Sequence, residues 1–127
     1  MKTAIIPDGF QASAEALAMS PGIVSGDHIF LTGITGSAPD GSMPPDPETQ
    51  FRAVFDKAAG VLAAANLPLD AIVEMTSYHI GLRGHFDMFD QIRRATFAAP
   101  YPAWTAIEAA GLRREGALVE IRFVARA

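Results

Sequence analysis

At 127 residues the chain is long enough to bury a sizeable core, and its length predicts one domain over residues 1–127. Hydrophobic residues make up 50% and charged residues 19%, which is typical of a folded globule and argues against an intrinsically disordered chain. The net charge is −4 without any basic run, so nucleic-acid binding has no electrostatic support, and the absence of cysteine excludes disulfides and thiol catalysis.

The first elements along the chain are predicted to be short strands. Lys2–Ile6 is an apolar run typical of an edge strand, and the alanines within 9–17 allow a helical turn. Residues 23–25 and 28–32 flank Gly26-Asp27, a pattern that predicts a β-hairpin.

The second strand of this hairpin is apolar on both faces. Alternation places Ile29 and Leu31 on one face, with Phe30 and Ile34 on the other. A strand of this kind is covered on both sides, and in a chain with few helices the second cover would come from another subunit.

A helix with clear boundary signals follows a loop over 35–47. Asp46 is suited to the N-cap and Pro47 to the first helical position. Apolar residues then recur at i, i+3, i+4 and i+7 over 51–65, and Asn66 ends the pattern.

The next segments predict a strand and a second helix. The strand covers 70–82, Gly81–Gly84 forms a turn, and His85–Ala98 is an amphipathic helix with Arg93-Arg94 on its solvated face. The buried side of this helix is predicted to contain Phe86, Phe89, Ile92 and Phe97.

Two further strands, one beginning at Thr105 and one over 117–124, are separated by a turn in which Arg113-Arg114 is solvated or reaches a neighbouring subunit. The order β-β-α-β-α-β-β predicts an α+β fold, with one mixed sheet and two helices packed on one face. The face of the sheet without helices also needs to be covered, and homo-oligomerisation is the simplest way to cover it.

Within the last apolar run lies a carboxylate, Glu120, between Val119 and Ile121. A buried acid costs free energy unless it is paired or faces a wet cleft. It can act as a general base or acid in hydrolysis of a C=N bond, or it can pair with an arginine such as Arg122 and only hold an assembly together. The residues alone leave both alternatives open.

Other catalytic patterns are missing. His28, His79 and His85 are scattered without metal-ligand spacing, so we expect no metal. No Gly-x-Ser-x-Gly elbow occurs, and no lysine follows Gly33-x-x-Gly36 as in a phosphate loop. No signal peptide is apparent, and no apolar run reaches the ~20 residues of a membrane span, so we expect a cytoplasmic protein without membrane partners.

The order of elements and several short motifs resemble the Rid (RidA or YjgF-like) family over nearly the whole chain. The most specific of these motifs are Thr32-Gly33, Pro102-Ala103 and the later Leu118-Val119-Glu120-Ile121. The resemblance implies a chorismate-mutase-like α+β fold, a homotrimer and small-molecule clefts between subunits. It also implies hydrolysis of reactive enamines and imines to keto acids and ammonia, without metal or cofactor.

The resemblance also assigns roles to four positions. Glu120 falls where the family has the acid that orients the attacking water, and Thr32 keeps a small hydroxyl near the cleft. Met19 falls at the position of a tyrosine, and Trp104 replaces the arginine that grips the substrate carboxylate. Trp104 and its neighbour Thr105 are expected to contact the substrate, with the indole serving as a stacking platform or lid, or as interface filling.

Two functions are consistent with the sequence. The first is a cofactor-independent hydrolase of the imine/enamine deaminase type, with substrate choice altered by the loss of the arginine. The second is a non-catalytic trimeric module that binds a small apolar or aromatic metabolite.

Overall fold

A seven-stranded sheet organises the computed structural model, which describes all residues from 1 to 127. The strands are β1 (Lys2–Ile5), β2 (Gly22–Ser25), β3 (His28–Leu31), β4 (Ile34–Thr35), β5 (Ile72–His79), β6 (Ala103–Glu108) and β7 (Val119–Arg126). The helices are α1 (Gln11–Leu17), α2 (Pro47–Ala63) and α3 (Leu82–Thr96), with a 3-10 turn at Leu69–Ala71. The spatial order is β1-β2-β3-β7-β5-β6, and β4 also pairs with β7.

The last two strands do not pair with each other. β5 lies between them, parallel to β6 and antiparallel to β7, so the sheet is mixed as predicted. The segment 109–118 therefore passes across the end of β5 instead of closing a hairpin. This path carries the two arginines of the segment toward β4 and away from the β6 edge.

The core lies between one face of the sheet and helices α2 and α3, as the α+β prediction requires. Phe51 of α2, Phe89 of α3 and Phe123 of β7 have no exposed surface, and the Phe51 and Phe89 rings meet edge to face at 5.3 Å. The predicted start of α2 is confirmed, because the Asp46 carboxylate accepts a hydrogen bond from the Thr49 N–H at 3.0 Å.

The opposite face of the sheet is open in the single chain. Phe30 is 40% exposed there, whereas Ile29 and Leu31 are buried against the helices. The prediction that Ile34 lies beside Phe30 is wrong, because β3 ends at Leu31 and the chain restarts as β4. Ile34 then pairs with Ile121 and is buried in the core.

Helix α3 begins earlier than predicted. The turn assigned to Gly81–Gly84 is wrong, since the helix starts at Leu82. The Glu108 carboxylate of β6 accepts hydrogen bonds from the N–H groups of Gly81 (3.0 Å) and Leu82 (2.7 Å), two donors at this helix end that have no partner within the helix. Because Glu108 is distant in sequence from Leu82, no capping residue near the start of α3 indicated where the helix begins.

Two side chains of α3 also differ from the prediction. Phe86, expected to be buried, is 37% exposed because it lies at the rim of the core against Trp104 of β6. Arg93, expected to be solvated, is mostly buried between its ion pair with Asp90 (2.6 Å) and the Trp104 ring, whose centroid is 4.3 Å from the guanidinium carbon.

The N-terminal elements are close to the prediction: β1 lies at the edge of the sheet, and the helical turn that the alanines within 9–17 allow is present as α1. The short strand β4 was not predicted, because two residues are too few to show alternation. None of the three helices combines the length and the apolar character that crossing a membrane requires.

Candidate functional site

Three residues singled out in the sequence, Met19, Thr32 and Glu120, line one cleft of about 440 Å³. The cleft lies between the end of α1, the step from β3 to β4 and the 109–118 segment. Its remaining walls are formed by Leu17, Gly33, Thr35, Arg113 and Arg114. The cleft thus brings together residues that are far apart in sequence, and they include one carboxylate, threonine hydroxyls and two guanidinium groups.

Strand alternation aims Glu120 away from the core and toward this cleft. Its neighbours Val119 and Ile121 have no exposed surface, so they occupy the helix face while Glu120 lies half-buried on the other. None of the four ion pairs of the chain includes Glu120, and Arg122 next to it is exposed. Within one chain the carboxylate is therefore free to bind a water or a ligand.

Gly33 is a site residue that the sequence marked only as part of a family motif. A Cβ built on Gly33 would collide with the Oε2 atom of Glu120. The absence of a side chain lets the carboxylate lie directly against the backbone of the step between β3 and β4. Thr32 is fixed in the same step by its N–H, which donates to the Pro21 carbonyl at 3.0 Å.

The assignment of Arg113 and Arg114 to a solvated turn is incomplete, because both line the cleft that contains Glu120. Arg114 is half-buried, and its Nη2 donates to the Gly41 carbonyl at 2.5 Å. Arg113 is exposed and forms no ion pair. The two cations escaped the prediction because their position depends on the course of 109–118 over β5.

An apolar chamber of about 250 Å³ continues the cleft toward α1 and α2. The shared wall consists of Leu17, Met19, Thr32, Gly33 and Thr35, and the chamber adds Phe10, Ala14, Ile34 and Val61. The chamber is thus a mainly apolar extension of a polar cleft, a combination typical of small-molecule sites.

Lys57 of α2 lies on the wall of this chamber and is held by neutral acceptors. Its ammonium donates to the carbonyl of Thr35 (2.6 Å) and to the hydroxyl (2.8 Å) and carbonyl (3.3 Å) of Ser37. Burial, and secondarily the charge of Arg114, lower the pKa of Lys57 below its ordinary value. The positive charges around the cleft are therefore close enough to repel one another.

Trp104 does not line the cleft of Glu120. Its register partner is Met75 of the core, and its ring packs under α3, stacked on Phe86 with centroids 5.8 Å apart and planes 11° apart. Thr105 lies on the Glu120 face but on β6, two strands from β7, and it does not line the cleft either. Within one chain, Trp104 and Glu120 are on opposite faces of the sheet.

Below Trp104 runs a partly buried chain of hydrogen bonds that joins two of the three histidines. The indole N–H donates to Ser77 Oγ (2.8 Å), which lies 2.8 Å from His79 Nε2, and His79 Nδ1 lies 3.0 Å from His85 Nε2. Since an indole only donates, every contact is satisfied when Ser77 donates to His79 and His79 donates to His85. The view that the histidines are scattered is therefore wrong for His79 and His85.

Burial keeps these two histidines neutral. Burial, then the nearby His85, lower the pKa of His79 to about 4, and Glu108 offsets this only in part. Burial likewise lowers the pKa of His85. No cluster of three or more His, Cys, Asp or Glu residues is arranged to hold a metal ion.

Comparison with known proteins connects this architecture to one family. The model of the family described as endoribonuclease L-PSP matches residues 11–127. The chain is 36% identical over 126 residues to the RutC family protein YjgH of Escherichia coli (strain K12), covering 98% of this chain and 95% of that protein.

Solved structures agree with the sequence match. A structure of protein YjgH has a TM-score of 0.88 at 36% identity and covers 98% of this chain and 95% of its own. A Yersinia pestis protein described as YyfA of the conserved Rid family, of unknown function, has a TM-score of 0.85 at 25% identity over the full length of both chains. With its α+β fold, mixed sheet and C-terminal Glu120 motif, the chain belongs to the Rid (YjgF-like, endoribonuclease L-PSP) family.

Proposed function

We propose that the protein is a cofactor-independent hydrolase of a small imine or enamine, with Glu120 as the residue that handles water. The observation that carries the proposal is the half-buried Glu120 carboxylate, free of any ion pair and facing a cleft beside Thr32 and Gly33. A carboxylate in this setting can accept a proton from a bound water and return it later in the reaction.

The proposed reaction needs no group beyond the chain and water. Glu120 takes a proton from water while the oxygen bonds to the imine carbon, and the π pair of the C=N bond moves to nitrogen. The carboxylic acid formed at Glu120 then protonates that nitrogen. The resulting carbinolamine expels ammonia and leaves a carbonyl product, and an enamine enters the same sequence after its tautomerisation to the imine.

A homotrimer with clefts between subunits is part of the proposal. The exposed apolar side chains on the helix-free face, Phe30 and Ile107, support the idea that another subunit covers it. An assembly also offers a role to Trp104 and Thr105, since β6 is an edge strand and a neighbouring subunit would bring it near a second Glu120. Light scattering after size-exclusion chromatography should give the mass of three chains of 13.5 kDa.

The decisive experiment compares the wild type with Glu120→Gln on imines generated in situ by an amino-acid oxidase. We expect the substitution to lower kcat by about 10²–10⁴-fold, the usual contribution of a general base, without changing the oligomeric mass. Asp56→Asn is the matched control, because Asp56 is an exposed carboxylate on α2 that lies outside the cleft and forms no ion pair. Equal rates for Glu120→Gln and the wild type would refute the proposed role.

The same assay separates hydrolysis from ligand binding alone. A protein that binds a metabolite without turnover would leave the spontaneous rate of keto-acid release unchanged for every imine tested. An RNA substrate, which the description of the family model suggests, is disfavoured by the net charge of −4.

A further inference from the structure

The cleft of Glu120 contains more positive than negative charge, although the chain as a whole is acidic. Arg113 and Arg114 line it directly, and Lys57 lines the chamber that continues it, whereas Glu120 is the one acidic residue of these walls. None of the three cations takes part in an ion pair of the chain. An acidic protein that gathers unpaired cations around one cleft has a site suited to a small anion.

The three cations differ in how far their donors are already used. Lys57 has three N–H groups and three neutral acceptors around it, so it has no donor left for a ligand. Arg114 donates through Nη2 to Gly41, which fixes the guanidinium at the edge of the cleft. Arg113 has no bond of this kind, and a guanidinium presents two parallel N–H groups that match a carboxylate.

Hydrogen bonds hold the second half of the segment that carries these arginines. The side-chain amide of the buried Gln50 donates to the Gly116 carbonyl at 3.0 Å, and its oxygen accepts from the Leu118 N–H at 2.8 Å. With the contact of Arg114 to Gly41, these bonds tie 114–118 to α2 and to the loop that precedes it. The backbone that directly follows Arg113 is therefore already ordered, which lowers the cost of ordering this part of the loop on binding.

We propose that Arg113, supported by Arg114, binds the carboxylate of an imino acid whose apolar side chain occupies the chamber between α1 and α2. This assignment rests on the proposed hydrolase and specifies its substrate class. It gives the carboxylate an anchor in the Glu120 cleft itself, in place of the arginine that Trp104 replaces. The reacting carbon then lies between the carboxylate and the side chain, beside Glu120 and Thr32.

The shape of the site predicts a preference among imino acids. The chamber has about 250 Å³ and walls that include Phe10, Leu17 and Val61. Leucine- and phenylalanine-derived imines place an apolar group there, whereas an aspartate-derived imine would place a second carboxylate in an apolar space at a large desolvation cost. We expect KM to be lowest for the apolar imines and about tenfold or more higher for the acidic one.

The first test is the effect of Arg113→Ala on the kinetics of the leucine-derived imine. Loss of a charge-assisted bond made equally in the ground and transition states should raise KM by about 10–100-fold with kcat little changed. Arg113→Lys should recover part of the loss, because it keeps the charge without the fork. Arg52→Ala is the control, since Arg52 is an exposed arginine of α2 whose only ion pair is with Glu48.

The second test separates failure of this assignment from failure of the hydrolase. Calorimetry measures the binding of 4-methyl-2-oxopentanoate, the keto acid of leucine, and of its uncharged amide to the protein carrying Glu120→Gln. We expect the acid to bind about tenfold or more tightly than the amide, and this difference to vanish when Arg113→Ala is added. Binding of the acid that depends on Arg113 supports the assignment even if the wild type hydrolyses no imine. Hydrolysis with a KM unaffected by Arg113→Ala, or equal binding of acid and amide, overturns the assignment and leaves the hydrolase standing.

Discussion

Replacement of Gln50 by leucine should destabilise the protein more than any change on the exposed side of the same helix. Gln50 has no exposed surface, and its amide joins three backbone groups of two separate loops. It donates to the carbonyls of Pro44 (2.7 Å) and Gly116 (3.0 Å) and accepts from the Leu118 N–H (2.8 Å). Leucine keeps the volume and removes all three bonds at once.

The size of the effect follows from these three groups. A buried polar group left without its partner costs about 1–3 kcal/mol, and these backbone groups are partly buried, so the lower end applies to each. The expected loss is about 3 kcal/mol, a large share of the ~5–15 kcal/mol that stabilises a typical domain. With a urea dependence of about 1.5 kcal/mol per molar, the unfolding midpoint should fall by about 2 M.

Urea unfolding followed by the far-ultraviolet circular dichroism of the wild type, Gln50→Leu and Arg52→Ala measures this difference. Arg52→Ala should shift the midpoint by less than about 0.5 M, because the ion pair of Arg52 with Glu48 has both side chains more than half exposed. If Gln50→Leu shifts the midpoint no more than Arg52→Ala does, the two loops are not held by the buried amide. Gln50→Glu adds a direct check: its loss of stability should shrink as pH falls, because a protonated carboxyl regains a donor toward the two carbonyls.

Three further predictions concern the cleft and the partly buried hydrogen-bond chain. Gly33→Ala should lower kcat by about tenfold or more with a small change in stability, since the new Cβ displaces the Glu120 carboxylate; unaltered kcat in the imine assay would contradict this geometry. The depressed pKa of His79, about 4 against 6.5, means that the unfolded state binds more protons between these values. The contribution of the neutral His79 to the free energy of unfolding should therefore be fully present above about pH 6.5 and decline by about 3 kcal/mol toward pH 4, with a further decline from His85, whose pKa is also lowered. Urea titrations that show no decline would exclude a buried neutral imidazole. Ser77→Ala removes the acceptor of the Trp104 indole; it should cost about 1–2 kcal/mol and change the emission spectrum of the single tryptophan, and an identical spectrum would place the indole N–H elsewhere.

Local patterns in the sequence were sufficient for the helices and strands whose signals lie within a few residues. The N-cap Asp46 with Pro47 and the apolar period over 51–65 predicted α2, and Gly26-Asp27 between apolar runs predicted the β2–β3 hairpin. The start of α3 was missed for the opposite reason. Its capping carboxylate, Glu108, lies 26 residues beyond Leu82, where no local pattern connects them.

The candidate site divides in a similar way. Resemblance to the family singled out Met19, Thr32 and Glu120, and the structure places these three in one cleft. The same resemblance grouped Trp104 with Glu120, but the tertiary structure separates them. Because successive side chains of a strand point to opposite faces of the sheet, the Trp104 indole lies on the helix face and the Glu120 carboxylate lies on the opposite face.

The amino-acid pattern alone determined that the chain folds as an α+β protein with an acid in its last strand, because periodicity and turn chemistry act over a few residues. The order of the strands in the sheet decided which residues surround that acid. With β5 between β6 and β7, the 109–118 segment passes across the end of β5 and places Arg113 at the Glu120 cleft. The position of Arg113 beside this cleft depends on packing between distant segments, so no residue spacing within 109–118 predicts it.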